Sequence, residues 1–220
     1  MTTKRAAIFD VDGTLVDSNH LHVVTWWEAF WQAGRHAPMR EIHRAVGLGS
    51  GDVIEHLLGE DRGPDGDDQL AATHHALYAT YFERLPALDE AGDLLRAGAG
   101  RGWKIVLATS ASGAELSALR GAIDVDDGKL APDPARQARE LADVPSERAV
   151  FVGDTVWDMK AAVRDGAVPV AVLSGGIPRA DLEAACARAL YRDPADLLRH
   201  LDAGVFADRE SAGETAVPSR

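Results

Sequence analysis

The sequence predicts an α/β protein, a parallel sheet of short buried strands with an all-helical block inserted after the first of them. Three observations carry that prediction. Apolar runs at 6–9, 104–108, 149–152 and 168–173 are bounded by charge, glycine or hydroxyls, which is the pattern of strands buried on both faces. Helical patterns separate the later runs, so pairing should be parallel with right-handed crossovers. Residues 17–85 carry helical periodicity and no strand.

The first run, Ala6-Ala7-Ile8-Phe9, ends abruptly in Asp10-Val11-Asp12-Gly13-Thr14. Two acids two apart on an extended segment start on the same face. Two carboxylates that close repel, so either one holds a proton or a cation lies between them. In open parallel sheets ligands collect at the carboxyl ends of strands, where both acids stand. A calcium loop is excluded. Its fifth, sixth and twelfth positions need an acid or amide, a glycine and a glutamate, and here they are Thr14, Leu15 and Leu21. Taken alone, the stretch also reads as a strand closing in an Asx turn with no chemistry.

The helical block follows. Asp17-Ser18-Asn19 offers capping chemistry, after which Leu21, Val24, Trp27, Phe30 and Trp31 recur at helical spacing up to Gly34. Trp26, Trp27 and Trp31 read as packing residues. Further helices are expected over 39–46, 52–58 and 69–84, with a glycine-rich turn at 47–51 and a solvated loop at 59–68. From Leu88 a helix should run to Ala97 and stop at Gly98, Gly100 and Gly102. The later strands end at Thr109-Ser110, Gly153-Asp154 and Ser174-Gly175-Gly176. Pro169 has no amide hydrogen and belongs at a strand start or on an unpaired side. Lys129 precedes Pro132 and Pro134, which mark the first turn of an expected helix. The 121–128 segment is short for a strand with its loop. The resulting division is a discontinuous core of 1–16 and 86–206, a helical block of 17–85 and a mobile tail of 207–220.

Composition narrows the function. The chain has 220 residues, 46% of them apolar, which suffices for one core or a core with a smaller domain. A net charge of −12 argues against nucleic acid or an anionic membrane as partner, because both need a basic face. No apolar run approaches the roughly 20 residues of a membrane span. The apolar stretch after Lys4 and Arg5 is too short for a secretory signal. The single cysteine, Cys186, allows no internal disulfide, fits a reducing cytoplasm and falls in a predicted helix, where packing is the expectation. Three strand tips carry reactive groups: Asp10 with Asp12, Thr109 with Ser110, and Asp154 with Asp158. A parallel sheet brings all three to one edge.

With those motifs in order, the chain resembles the haloacid dehalogenase superfamily, in the subgroup of phosphoglycolate phosphatases and β-phosphoglucomutases. The Asp-x-Asp-Gly-Thr motif stands as Asp10 to Thr14, the strand ending in a hydroxyl as Thr109, the lysine as Lys129, and the last motif as Gly153-Asp154-Thr155-Val156-Trp157-Asp158. The resemblance implies a Rossmann-like core with an inserted helical cap, and a magnesium-dependent phosphatase that works through an aspartyl phosphate. It casts Asp10 as nucleophile and Asp12 as acid and base. Mg2+ would lie on Asp10, the backbone carbonyl of Asp12 and Asp154, with Asp158 orienting those ligands. Thr109, Ser110 and the backbone at Gly13 would hold the phosphate, and Lys129 would balance its charge. His22 and Trp26 would stand near the cap hinge, with Arg44 and the 47–51 turn facing substrate. The expected substrate is a small phosphorylated metabolite, hydrolysed in the cytoplasm by a monomer or weak homodimer. A phosphosugar mutase shares every core motif, but the 47–52 turn offers only Ser50 to hold a second phosphate. A dehalogenase needs neither an acid at Asp12 nor a metal. A catalytically weak phosphate-binding module is the remaining alternative, given the short 121–128 segment.

Overall fold

The computed structural model describes residues 4–59, 62–111, 113–124, 129–132, 139–140 and 143–207. Six parallel strands form one sheet in the order β3-β2-β1-β4-β5-β6: β1 Arg5–Asp10, β2 Trp103–Thr109, β3 Lys129–Pro132, β4 Ala149–Gly153, β5 Val168–Val172 and β6 Ala189–Tyr191. The first strand lies in the interior of the sheet, paired with β2 on one side and β4 on the other. Ala6, Ile8 and Phe9 are at most 2% exposed. Register carries the tips to one edge: Asp10 lies opposite Ala108, Phe9 opposite Val152 and Thr109 opposite Pro132.

Helices cover both faces. On one, Phe9, Leu107, Val150 and Val170 pack with Leu94, Leu119 and Leu197. On the other, Ile8, Val106 and Phe151 pack with Val144 and Ala162. This two-sided burial explains why the strands read as unbroken apolar runs.

Between β1 and α5 (Ala91–Gly100) lie α1 Asn19–Gln32, α2 Met39–Ala45, α3 Ser50–Leu58 and α4 Pro64–Ala79, then one 3-10 turn, Phe82–Arg84. No described residue there belongs to a strand of the sheet. These helices share a core of their own in which Trp26, Phe30, Ile42, Ile54 and Leu70 meet. Further described helices are α6 Gly113–Ile123, α7 Val156–Asp165, α8 Arg179–Ala184 and α9 Pro194–Arg199.

Several expectations are corrected. α4 starts at Pro64, inside the expected loop, because a proline at the first helical position gives up no hydrogen bond and presets φ. α5 runs through Gly98 to Gly100, since a β-carbon at Gly98 would lie 3.0 Å from Ile105 Cδ1, so the small residue serves close helix-to-strand packing and does not act as a stop. Trp31 is 56% exposed, whereas Trp26 is buried as expected. Cys186 is exposed and lies just past α8 with φ +72. Pro169 takes the second position of β5, and its carbonyl accepts a bond from the Arg188 amide.

Lys129 opens β3, and Pro132, expected in the first turn of a helix, is the last residue of that strand. α6 extends to Ile123, so the chain enters the sheet at 129, with Lys129 opposite Val106. At about 3.3 Å per residue, its backbone sits roughly 10 Å back from the edge at Pro132. Its side chain, the 125–128 segment and the tail from 208 onward lie outside the described residues.

Candidate active site

The site is assembled where β1 and β4 end. Beyond Asp10 the chain turns at once: the Leu15 and Val16 amides donate back to the Val11 carbonyl at 2.8 and 3.0 Å, and Gly13 takes φ +74. That conformation suits glycine, and there is no room for more. A β-carbon on Gly13 would lie 2.5 Å from Asp154 Oδ2. The turn aims Thr14 inward, where its hydroxyl is 2.9 Å from Asp154 Oδ1 and 3.2 Å from Asp10 Oδ2. From α1, Asn19 Nδ2 donates to Asp154 Oδ2 at 2.7 Å and to the Gly175 carbonyl at 3.3 Å. Asp154 is thereby fixed from two elements beyond its own strand.

Asp158 belongs to the same cluster through the start of α7. Thr155 caps that helix by accepting from the Asp158 amide at 3.2 Å, while Asp158 Oδ2 accepts from the Thr155 amide at 2.9 Å and from its hydroxyl at 2.6 Å. This reciprocal capping box contributes about 1 kcal/mol to a helix terminus. It also parks a carboxylate beside the strand tip. One oxygen each from Asp10, Asp154 and Asp158 lies within 4.8 Å of the others.

Three carboxylates that close, two of them buried and Asp10 partly so, cannot all be ionised unaided. Burial, followed by Asp158, Asp154 and Asp12, pushes Asp10 well above the ordinary carboxylate range. Burial and then Asp158 push Asp154 up to about 8, and burial raises Asp158. Such a set fits a small hard cation, which takes carboxylate oxygens and removes the need for shared protons. Gly175 supports that fit, since a β-carbon there would overlap Asp154 Oδ2. Gly175→Ala should therefore weaken Mg2+ affinity about tenfold. Calorimetric titration with Mg2+ checks this, and an unchanged affinity would contradict the placement.

A pH prediction follows from Asp154. Its folded value of about 8 lies above the unfolded value of 3.8, so the native state binds more protons between them. Stability of the metal-free protein from this group is complete below about pH 4 and is lost as pH rises toward 8. Melting curves in a chelator should show that decline, and Mg2+ should reverse it at the alkaline end.

Asp12 lives in a different environment. Its Oδ1 accepts from Ser18 Oγ at 2.5 Å, from Tyr78 OH at 3.4 Å and pairs with His22 Nε2 at 3.2 Å. Burial favours its neutral form, but His22, Ser18 and Tyr78 outweigh burial and hold the carboxyl below its ordinary value. Adjacent carboxylates with oppositely shifted pKa values are the pattern of divided roles. Ser18 stands at the amino-terminal cap of α1, yet its side chain makes no capping bond. The hydroxyl serves Asp12 in place of the helix.

The other expected residues divide. Thr109 reaches the edge, buried, with Oγ1 accepting from the Ala111 amide at 3.1 Å, while Ser110 is exposed. His22 meets Asp12 as described. The Arg44 guanidinium lies 3.6 Å from Asp181, and its carbonyl accepts from Trp157 Nε1 at 2.8 Å. Asp158 joins the carboxylate cluster, whereas the Asp12 side chain points to its own donors. Sequence reasoning did not single out Thr14, Asn19, Ser18, His74, Tyr78 or Gly175. Thr14 lay inside the first motif and Ser18 and Asn19 were taken for capping residues, so a signal existed for these three.

The comparisons with known proteins agree with this geometry. The model of the haloacid dehalogenase-like hydrolase family matches residues 4–166. The chain belongs to that family. This haloacid dehalogenase-like hydrolase is 29% identical over 216 residues to a phosphoglycolate phosphatase of Rhodospirillum rubrum, covering 88% of this chain and 89% of that one. It is 28% identical over 192 residues to a phosphoglycolate phosphatase of Neisseria gonorrhoeae, covering 78% and 80%. A hydrolase from Pseudomonas syringae superposes with TM-score 0.85 at 30% identity, over 91% of this chain and all of that one. A β-phosphoglucomutase from Clostridium difficile superposes with TM-score 0.75 at 14% identity, over 89% and 93%, a likeness of fold alone. The hydrolase is an α/β enzyme, and none of its described helices is long and apolar enough to cross a membrane.

Proposed function

We propose that this hydrolase is a magnesium-dependent phosphatase of small phosphorylated metabolites. The observation that carries the reading is the separation of two carboxylate environments at one strand tip. Asp10 shares a cluster with Asp154 and Asp158, and Asp12 is held apart by Ser18, His22 and Tyr78.

Asp10 attacks phosphorus and forms an aspartyl phosphate, splitting one displacement into two easier ones. Asp12, ionised in the resting site, takes the proton of the substrate's phosphate monoanion, hands it to the leaving oxygen and later takes one from the attacking water. Asp10, Asp154 and the Asp12 carbonyl would hold Mg2+, with Asp158 beside them. The ion, when bound, offsets the charge of carboxylates and phosphate. Thr14 and Asn19 keep Asp154 oriented, and Thr109 with the amides after β2 binds phosphate oxygens. Lys129, at the start of β3, would balance charge between Asp10 and the phosphate.

The helices of 17–85 act as a cap over the core of 1–16 and 86–206. The Trp157 bond to the Arg44 carbonyl and His43 Nε2, 2.8 Å from the Gly175 carbonyl, support that docking. Likeness to phosphoglycolate phosphatases supports hydrolysis over phosphoryl transfer between sugars, and so does a 47–52 turn without lysine or arginine. The single cysteine accords with work in the cytoplasm, by a monomer or weak homodimer.

A screen of phosphorylated metabolites with and without Mg2+ tests the reading. Release of phosphate that requires the metal is the expected result. Absence of turnover on all of them, with Mg2+ still bound, would favour a phosphate-binding module.

A further inference from the structure

Behind Asp12 stands a second imidazole, within the helical block. His74, on α4, is 3% exposed, and its Nε2 lies 3.2 Å from His22 Nδ1. The Trp26 indole stacks on its ring at 4.1 Å between centroids and 12° between planes, so the ring cannot tilt away. The Tyr78 ring stacks on His22 at 4.0 Å, and its hydroxyl reaches the same Asp12 oxygen. The other nitrogen of His74, Nδ1, is buried and has no hydrogen-bond partner among the described residues.

We infer that His74 is a positioning residue for the acid-base step: it donates from Nε2 to His22 Nδ1 and so fixes the tautomer in which His22 Nε2–H points at Asp12 Oδ1. The inference rests on the phosphatase reading for its functional meaning, though not for its geometry.

Proton arithmetic supports it. An ionised carboxylate only accepts, so His22 Nε2 must carry hydrogen. Two arrangements of the pair then remain. In one, His74 Nε2–H donates to a bare His22 Nδ1, and only a lone pair at His74 Nδ1 goes unused. In the other, His22 donates from both nitrogens, and His74 must carry its hydrogen on Nδ1, where nothing accepts it. Buried orphan N–H groups are rare because each forfeits its hydration, so the first arrangement holds. Burial, then His22 and His75, press His74 down to about 2, which keeps it neutral. His22 is thereby a fixed donor. With Oδ1 occupied by His22, Ser18 and Tyr78, the other oxygen of Asp12 is the one that exchanges the proton.

The test compares His74→Phe, which keeps an aromatic ring against Trp26 and removes the donor, with His74→Gln, which keeps a donor. Two readouts are used. Long-range 15N–1H spectra of the imidazoles report the His22 tautomer without any turnover, and steady-state rates with p-nitrophenyl phosphate and Mg2+ report the chemistry. Wild type should show His22 in the Nε2–H form. His74→Phe should lose that single form and drop kcat about tenfold or more with KM within about twofold, and His74→Gln should recover most of both. In a His22→Ala background, His74→Phe should add little further loss, since the two act in series. A His74→Phe protein with the His22 tautomer unchanged and kcat within twofold of wild type overturns the inference. So does a His74→Gln protein as impaired as His74→Phe. If wild type fails to turn over any phosphomonoester, the phosphatase reading falls, while the spectra still decide the tautomer.

Discussion

Asp10→Asn should reduce turnover of a phosphomonoester by about four orders of magnitude, the scale on which loss of a covalent nucleophile is felt. The substitution changes no volume, and the amide cannot form the acyl phosphate. The same change should raise the melting temperature of the metal-free protein, because it removes one of three crowded carboxylates whose protonation is forced by burial and by one another. Loss of activity with gain of apo stability distinguishes a functional acid from a structural one. Rates and melting curves measured on one preparation check both halves, and normal activity in the variant would overturn the mechanism.

Asp154→Ala should abolish the dependence of rate on Mg2+ within the millimolar range and leave residual activity at least about a hundredfold below wild type. Asp154 is fully buried, and its loss takes one acceptor from Thr14, which still reaches Asp10, and one from Asn19, which still donates to the Gly175 carbonyl. Titrating Mg2+ against rate for both proteins is the measurement. Superimposable curves would remove Asp154 from the metal site.

Much of this site is legible in the chain. Acids at the tip of an apolar run, at residues 10, 12 and 154, announce themselves because packing gives a buried strand no reason to end that way. The order of strand and helix patterns was equally readable, since burial on both sheet faces leaves nearly continuous apolar runs. Short elements were not. β3 and β6 have four and three residues, too few for any period to show, and α4 begins in a charged stretch that looks like loop. Ser18 and Asn19 carry ordinary capping chemistry in sequence, and only the turn at Gly13 redirects them to Asp12 and Asp154. His74 was one of eight histidines, with nothing in its neighbours to mark it.

An α/β sheet with a helical insertion, and the acids that gather at its edge, can be read from the chain alone, because apolar periodicity and strand-tip chemistry are local properties. Tertiary structure alone decided which acids share a cluster and which is set apart, and that a histidine from α4 stands behind His22. The pair His22 and His74 lies 52 positions apart, and Thr14 lies 140 from Asp154. The physical reason is that such pairings depend on strand order, register and the docking of helices across the sheet edge, which no local pattern encodes.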